Sequence, residues 1–119
     1  CERVKKYSGG SFTFSGGLYD GIRIVVVESG TGQTRAARAT RALLDAHSPK
    51  WVVSTGFAGG LRPELKVGHI LVADHVVTTD GSQLSIDLGM PANPERGLHV
   101  GRLLTVGHMV RTIAEKQSL

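Results

Sequence analysis

Cysteine occurs once in the 119 residues, at Cys1, so neither an intramolecular disulfide nor a cysteine-built zinc site is available. Aromatic residues make up 5% of the chain and none alternates with basic ones, which leaves nothing to build a stacking platform for single-stranded nucleic acid. No apolar run reaches the roughly eighteen residues of a membrane-spanning helix. No basic-then-apolar leader opens the sequence. These absences point to a reduced, cytoplasmic setting with no membrane partner. Methionine is missing from the start as well. The chain opens on Cys1-Glu2-Arg3 and stops at Lys116-Gln117-Ser118-Leu119, in what reads as the first turns of a helix, so both ends are expected to be cuts.

Hydrophobic residues supply 40% of the chain and charged residues 20%, a balance that favours one packed core over a disordered tail. A single domain over residues 1–119 is expected. Its 16 glycines lack the every-third spacing of collagen. Fourteen basic residues against ten acidic ones give a net charge of +4, which raises the question of a nucleic-acid partner. Arg35, Arg38 and Arg41 recur on one side of a helical pattern, with Ala36, Ala37, Thr40, Leu43 and Leu44 opposite. The basic residues therefore read as a solvated helix face, and no nucleic-acid partner is expected.

Residues 11–15 alternate with a strand period, Tyr19-Asp20-Gly21 supplies a turn, and residues 22–27 return as a second strand. The β-branched end of that return suits a strand covered on both faces. Helical spacing runs from Gln33 to His47 and stops at Ser48-Pro49. Trp51-Val52-Val53-Ser54-Thr55 reads as a short buried strand, so residues 22–55 are expected to form a right-handed β–α–β unit with parallel strands. A strand follows over residues 70–77, then about twenty residues of loop, a strand over 99–106 and a helix from Ile113.

Two glycine-rich loops carry the functional signal. Ser29-Gly30-Thr31-Gly32 and Thr55-Gly56-Phe57-Ala58-Gly59-Gly60 each follow an expected strand. In an open parallel sheet such ends share an edge where ligands settle, and glycine lets backbone N–H groups approach them. Two such loops describe a pocket for a polar small molecule; either one alone would pass for an ordinary turn. Gly30-Thr31-Gly32 is only half of a dinucleotide fingerprint, with Arg35 where its third glycine belongs, so no cofactor is expected. The histidines at 47, 69, 75, 99 and 108 show no helical metal spacing, and no metal site is expected. Asp74 and His75, adjacent on a strand, should point to opposite faces and form no dyad. Asp80 and Asp87 sit in the long loop, within possible reach of the pocket mouth.

The run from Trp51 through Thr55-Gly56-Phe57-Ala58-Gly59-Gly60-Leu61 to Leu65-Lys66-Val67-Gly68-His69-Ile70 resembles the nucleoside phosphorylase superfamily, and within it the methylthioadenosine/adenosylhomocysteine nucleosidases. Their signature reads T-G-S-A-G-G-L, then L-K-V-G-D and a strand. Ser29-Gly30-Thr31-Gly32 and its alanine-rich helix also look like that family's S-G-x-G segment. The resemblance implies an α/β fold, a three-layer sandwich around a mixed, largely parallel twisted sheet, incomplete here at both ends. It implies cleavage of the purine–ribose bond of adenosine-type nucleosides by water or phosphate, in a homo-oligomer. By position, Thr31 and Gly32 would lie near the 5′ substituent of the ribose. Phe57, Ala58 and Gly59 would floor the pocket, and Met109 and Val110 would face the purine.

Two departures stand out: Phe57 replaces the signature serine and His69 its aspartate. The family's acidic groups come from a loop that would precede residue 1 and from Met-Glu and Ser-Asp segments that would follow Leu119. The catalytic residues are therefore expected outside this chain, which alone is expected to be inactive. The resemblance also implies a choice of reaction: phosphorylases of the superfamily tend to set an arginine next to this loop, whereas here Val52-Val53-Ser54 precede it and Arg62 only follows it, which favours hydrolysis over phosphorolysis. A phosphate-dependent phosphorylase and a non-catalytic nucleoside-binding module are the alternatives.

Overall fold

A computed structural model describes residues 2–9 and 11–119. Cys1, and with it the expectation about its thiol, lies outside the described residues, as does Gly10. The chain divides into two compact units, Cys1–Thr55 and Gly56–Leu119.

The first unit is an antiparallel sheet, β1 (Glu2–Gly9), β2 (Phe12–Tyr19) and β3 (Ile22–Val27), in the order β1-β2-β3, followed by helix α1 (Gln33–His47). Asp20 and Gly21 both take positive φ, 49° and 77°, which makes the β2–β3 connection the two-residue primed turn whose twist matches its strands. Its register pairs Phe14 with Val27 and Tyr19 with Ile22. Phe14, on the central strand, is 1% exposed and sets its ring 5.8 Å from that of His47, in the last turn of α1. Ala39 is the other buried apolar side chain among the described residues, with Leu43 and His47 half-buried on the same stripe. Arg35, Arg38 and Arg41 are exposed as expected. The apolar stripe is rotated from its expected position, because Ala36, Ala37 and Leu44 are exposed too.

Two expectations for this unit change. β3 pairs only with β2 and leaves Ile22 and Val26 exposed, so it is not covered on both faces among the described residues. Residues 51–55 join no ladder, and Trp51 and Val53 are 79% and 81% exposed. The β–α–β unit is thus present only as β3 and α1. An apolar run says what a segment can bury, whereas a strand exists only where another strand pairs with its backbone.

The second unit is a mixed sheet of β4 (Ile70–Thr78), β5 (Gln83–Ser85) and β6 (Leu98–Thr105), in the order β5-β4-β6. β4 and β6 run parallel from Ile70↔Leu98 to Thr78↔Thr105, and β5 returns antiparallel along β4. A 3₁₀ turn, Pro94–Arg96, leads into β6, and the short helix α2 (Ile113–Gln117) follows it. The expected twenty-residue loop therefore holds a strand and a turn of its own. With its parallel and antiparallel pairs the chain is α/β with a mixed sheet, as expected. Among the described residues no helix is long and apolar enough to cross a membrane.

Candidate functional site

The parallel pair fixes where a ligand would be met in the second unit. β4 ends at Thr78 beside Thr105 of β6, so residues 79–82 and 106–112 both emerge at the carboxyl edge, where open parallel sheets receive ligands. Met109 and Val110 lie in the latter segment, Met109 exposed and Val110 half-buried. The segment is anchored by the start of α2. Thr112 Oγ1 accepts the Glu115 N–H at 3.1 Å, and the Glu115 carboxylate accepts the N–H groups of Arg111 at 2.9 Å and Thr112 at 3.1 Å. Those backbone donors, Arg111 first, hold the Glu115 carboxyl below its ordinary value.

Asp80 occupies the neighbouring turn. The Thr78 hydroxyl donates to its carboxylate, and the Ser82 N–H donates to the same oxygen at 2.9 Å. Together they bring its carboxyl down to about 2. At neutral pH Asp80 is thus an ionised acceptor, suited to hydroxyl groups or a developing cation and unable to act as a general acid. Asp80 shares the carboxyl edge with Met109 and Val110.

The glycine loops fall in different units. In the first, Gly30 and Gly32 take φ of 81° and 104°, and Gly32 starts α1 with no side-chain cap, leaving the opening N–H groups free to meet a ligand. Thr31 and Gly32 are exposed, and the Arg35 side chain folds back over Gly30, 3.2 Å from where a Cβ would sit. In the second unit, Gly60 lies so close to Leu65 that a Cβ would stand 3.0 Å from the leucine Cβ and carbonyl oxygen. Phe57, Ala58 and Gly59 are exposed, Phe57 fully so.

The expectation for Asp74 and His75 is overturned. Asp74 Oδ1 lies 2.9 Å from His75 Nδ1, an ion pair when the imidazole is protonated. The ladder shows why: Ala73 pairs with Gly101 and His75 with Arg102, so Asp74 is an extra residue opposite no partner. Such a bulge breaks the alternation that would have separated the two side chains. They border an open cleft of about 340 Å³ with Ser85, Asp87, Leu88 and Met90. Asp87 thus lines this cleft. Among the described residues no three acidic, histidine or cysteine side chains are placed to hold a metal ion.

The family model of the Phosphorylase superfamily matches residues 2–112. The 5′-methylthioadenosine/S-adenosylhomocysteine nucleosidase of Colwellia psychrerythraea is 40% identical over 94 residues, 76% of this chain and 39% of its own length. The Geobacillus thermodenitrificans enzyme of the same name is 45% identical over 67 residues, 56% of this chain and 28% of its own. Among solved structures, the Neisseria meningitidis nucleosidase in complex with methylthio-immucillin-A aligns with a TM-score of 0.80 at 25% identity, covering 98% of this chain and 62% of that one. The chain thus spans well under half of these two curated relatives. With the family model matched across almost its entire length, the chain belongs to the phosphorylase superfamily.

Proposed function

We propose that the intact protein is a purine nucleosidase that hydrolyses the ribose–purine bond of adenosine-type nucleosides such as methylthioadenosine or adenosylhomocysteine. The observation that carries this reading is the 40% identity to a nucleosidase of that specificity over 76% of the chain. In the reaction the purine leaves with the bonding electrons, made a better leaving group by protonation of its N7. Water bonds to the ribose carbon and gives up a proton, which balances the one taken up by the purine, and the oxocarbenium character of that carbon in the transition state needs a nearby anion or hydrogen-bond acceptor.

In this reading Thr31 and Gly32 lie near the 5′ substituent, Phe57, Ala58 and Gly59 floor the pocket, and Met109 and Val110 face the purine. The exposure of Phe57 and Met109 supports their meeting a ligand or another part of the intact protein, because large apolar side chains are costly to leave in water. A homo-oligomeric assembly belongs to the same proposal. We place the protein in the cytoplasm, without a cofactor. The test is adenine release from methylthioadenosine by the intact protein, with and without phosphate. Release without phosphate supports hydrolysis; strict dependence on phosphate replaces it with phosphorolysis.

A further inference from the structure

His69 and His99 stand 30 positions apart in sequence, yet His69 Nδ1 lies 2.9 Å from His99 Nε2. Parallel pairing brings them together. Leu71 is in register with His99, and residue 69, two positions before Leu71, falls on the same face diagonally across the ladder. The ring centroids are 5.0 Å apart at an interplanar angle of 28°. That separation is nearly the N···N distance plus a ring radius on each side, so the imidazoles meet edge to edge in a hydrogen bond.

The direction of the bond follows from a second donor. The Lys66 backbone N–H also reaches His69 Nδ1, at 3.4 Å. A nitrogen receiving that N–H carries the lone pair, and the tautomer compatible with it puts the hydrogen on His99 Nε2, which would then be the donor. The ring has a seat as well. Gly97 is buried at φ 73°, and a Cβ on it would stand 2.7 Å from the His69 ring, so only glycine leaves room.

These contacts lead to the glycine loop. Leu65 N–H donates to the Arg62 carbonyl at 3.1 Å and His69 N–H to the Lys66 carbonyl at 3.0 Å, making two successive turns between Gly60 and β4. Leu65 is the residue on which Gly60 packs. We propose that His69 and His99 are positioning residues: their mutual hydrogen bond ties the 62–69 turns to β6 and thereby sets the glycine loop that ends at Gly60. The loop's role toward a nucleoside rests on the function proposed above. The tie itself does not.

The experiment uses the intact protein with ¹⁵N-labelled histidine. Ring-nitrogen spectra are expected to show His69 Nδ1 as a bare acceptor and His99 Nε2 as protonated. In His99→Leu, amide exchange at Lys66 should rise roughly three- to tenfold, the worth of one hydrogen bond, while amides within the β4–β6 ladder keep their protection. His99→Gln retains a donor and His69→Asp an acceptor for Lys66, so both should stay near the parent rate. The KM for methylthioadenosine should rise in His99→Leu with kcat little changed. Opposite tautomers, or unchanged Lys66 exchange in His99→Leu, overturn the tie. Raised exchange with an unchanged KM overturns its positioning role. If the parent protein cleaves no nucleoside, the nucleosidase reading fails while the spectra and exchange still decide the tie.

Discussion

Asp74 and His75, consecutive on β4, face each other through Asp74 Oδ1 and His75 Nδ1 at 2.9 Å because the strand carries an extra residue at Asp74. The bulge also presents the Asp74 carbonyl to Ile86 N–H at 2.7 Å, fastening the segment after β5. Deleting Asp74 should restore an unbroken ladder, separate the side chains and expose the Ile86 amide. Hydrogen exchange at Ile86 is expected to rise. Asp74→Asn should leave that amide protected and change stability by less than about 1 kcal/mol, since the pair is half-exposed.

Phe14 is the largest fully buried side chain among the described residues. Phe14→Ala should cost about 3–5 kcal/mol in urea unfolding, the range for emptying an aromatic site in a core. Phe14→Leu, which keeps most of the volume, should cost far less.

How much of this was legible in the sequence differs by element. α1 runs from Gln33 to His47 as its periodicity predicts, and the Asp20-Gly21 turn follows from its residues. Both are local signals. β1 has no signature in the sequence, because Glu2, Arg3, Lys5 and Lys6 give it no apolar pattern; it exists by pairing with β2. β5 is too short for a period to show. The Asp74–His75 pair depended on a bulge, and the His69–His99 bond on the register of two distant strands. Neither leaves a mark in spacing. The Gly-rich motif from Thr55 to Gly60 reads as a pocket loop from its glycines and as a nucleoside site only by resemblance, and the strand expected before it at residues 51–55 is unpaired.

Gly97 and Gly21 each hold a positive φ, but only Gly97 has a neighbour in the space of a Cβ. Gly21→Ala should cost about 1–2 kcal/mol from the backbone alone. Gly97→Ala should cost more, because it also drives the His69 ring from its seat. Comparing the two by denaturant unfolding separates strain from the clash, and ring-nitrogen spectra of Gly97→Ala should show the His69–His99 bond lost.

Asp80 predicts a pH dependence at the carboxyl edge. Its folded carboxyl sits at about 2, against an ordinary 3.8, so folding favours the ionised form. The stabilisation is fully present above the ordinary value and fades as pH falls from about 4 through about 2. A carboxyl ¹³C titration should give a midpoint near 2. Thr78→Val removes the leading donor and should move that midpoint upward.

The proposed reaction is tested most directly by incubating the intact protein with methylthioadenosine in phosphate-free buffer and following free adenine. The account predicts that adenine and the free methylthioribose appear together, at a rate that added phosphate does not raise. No adenine under any condition, or adenine only when phosphate is supplied, would contradict it.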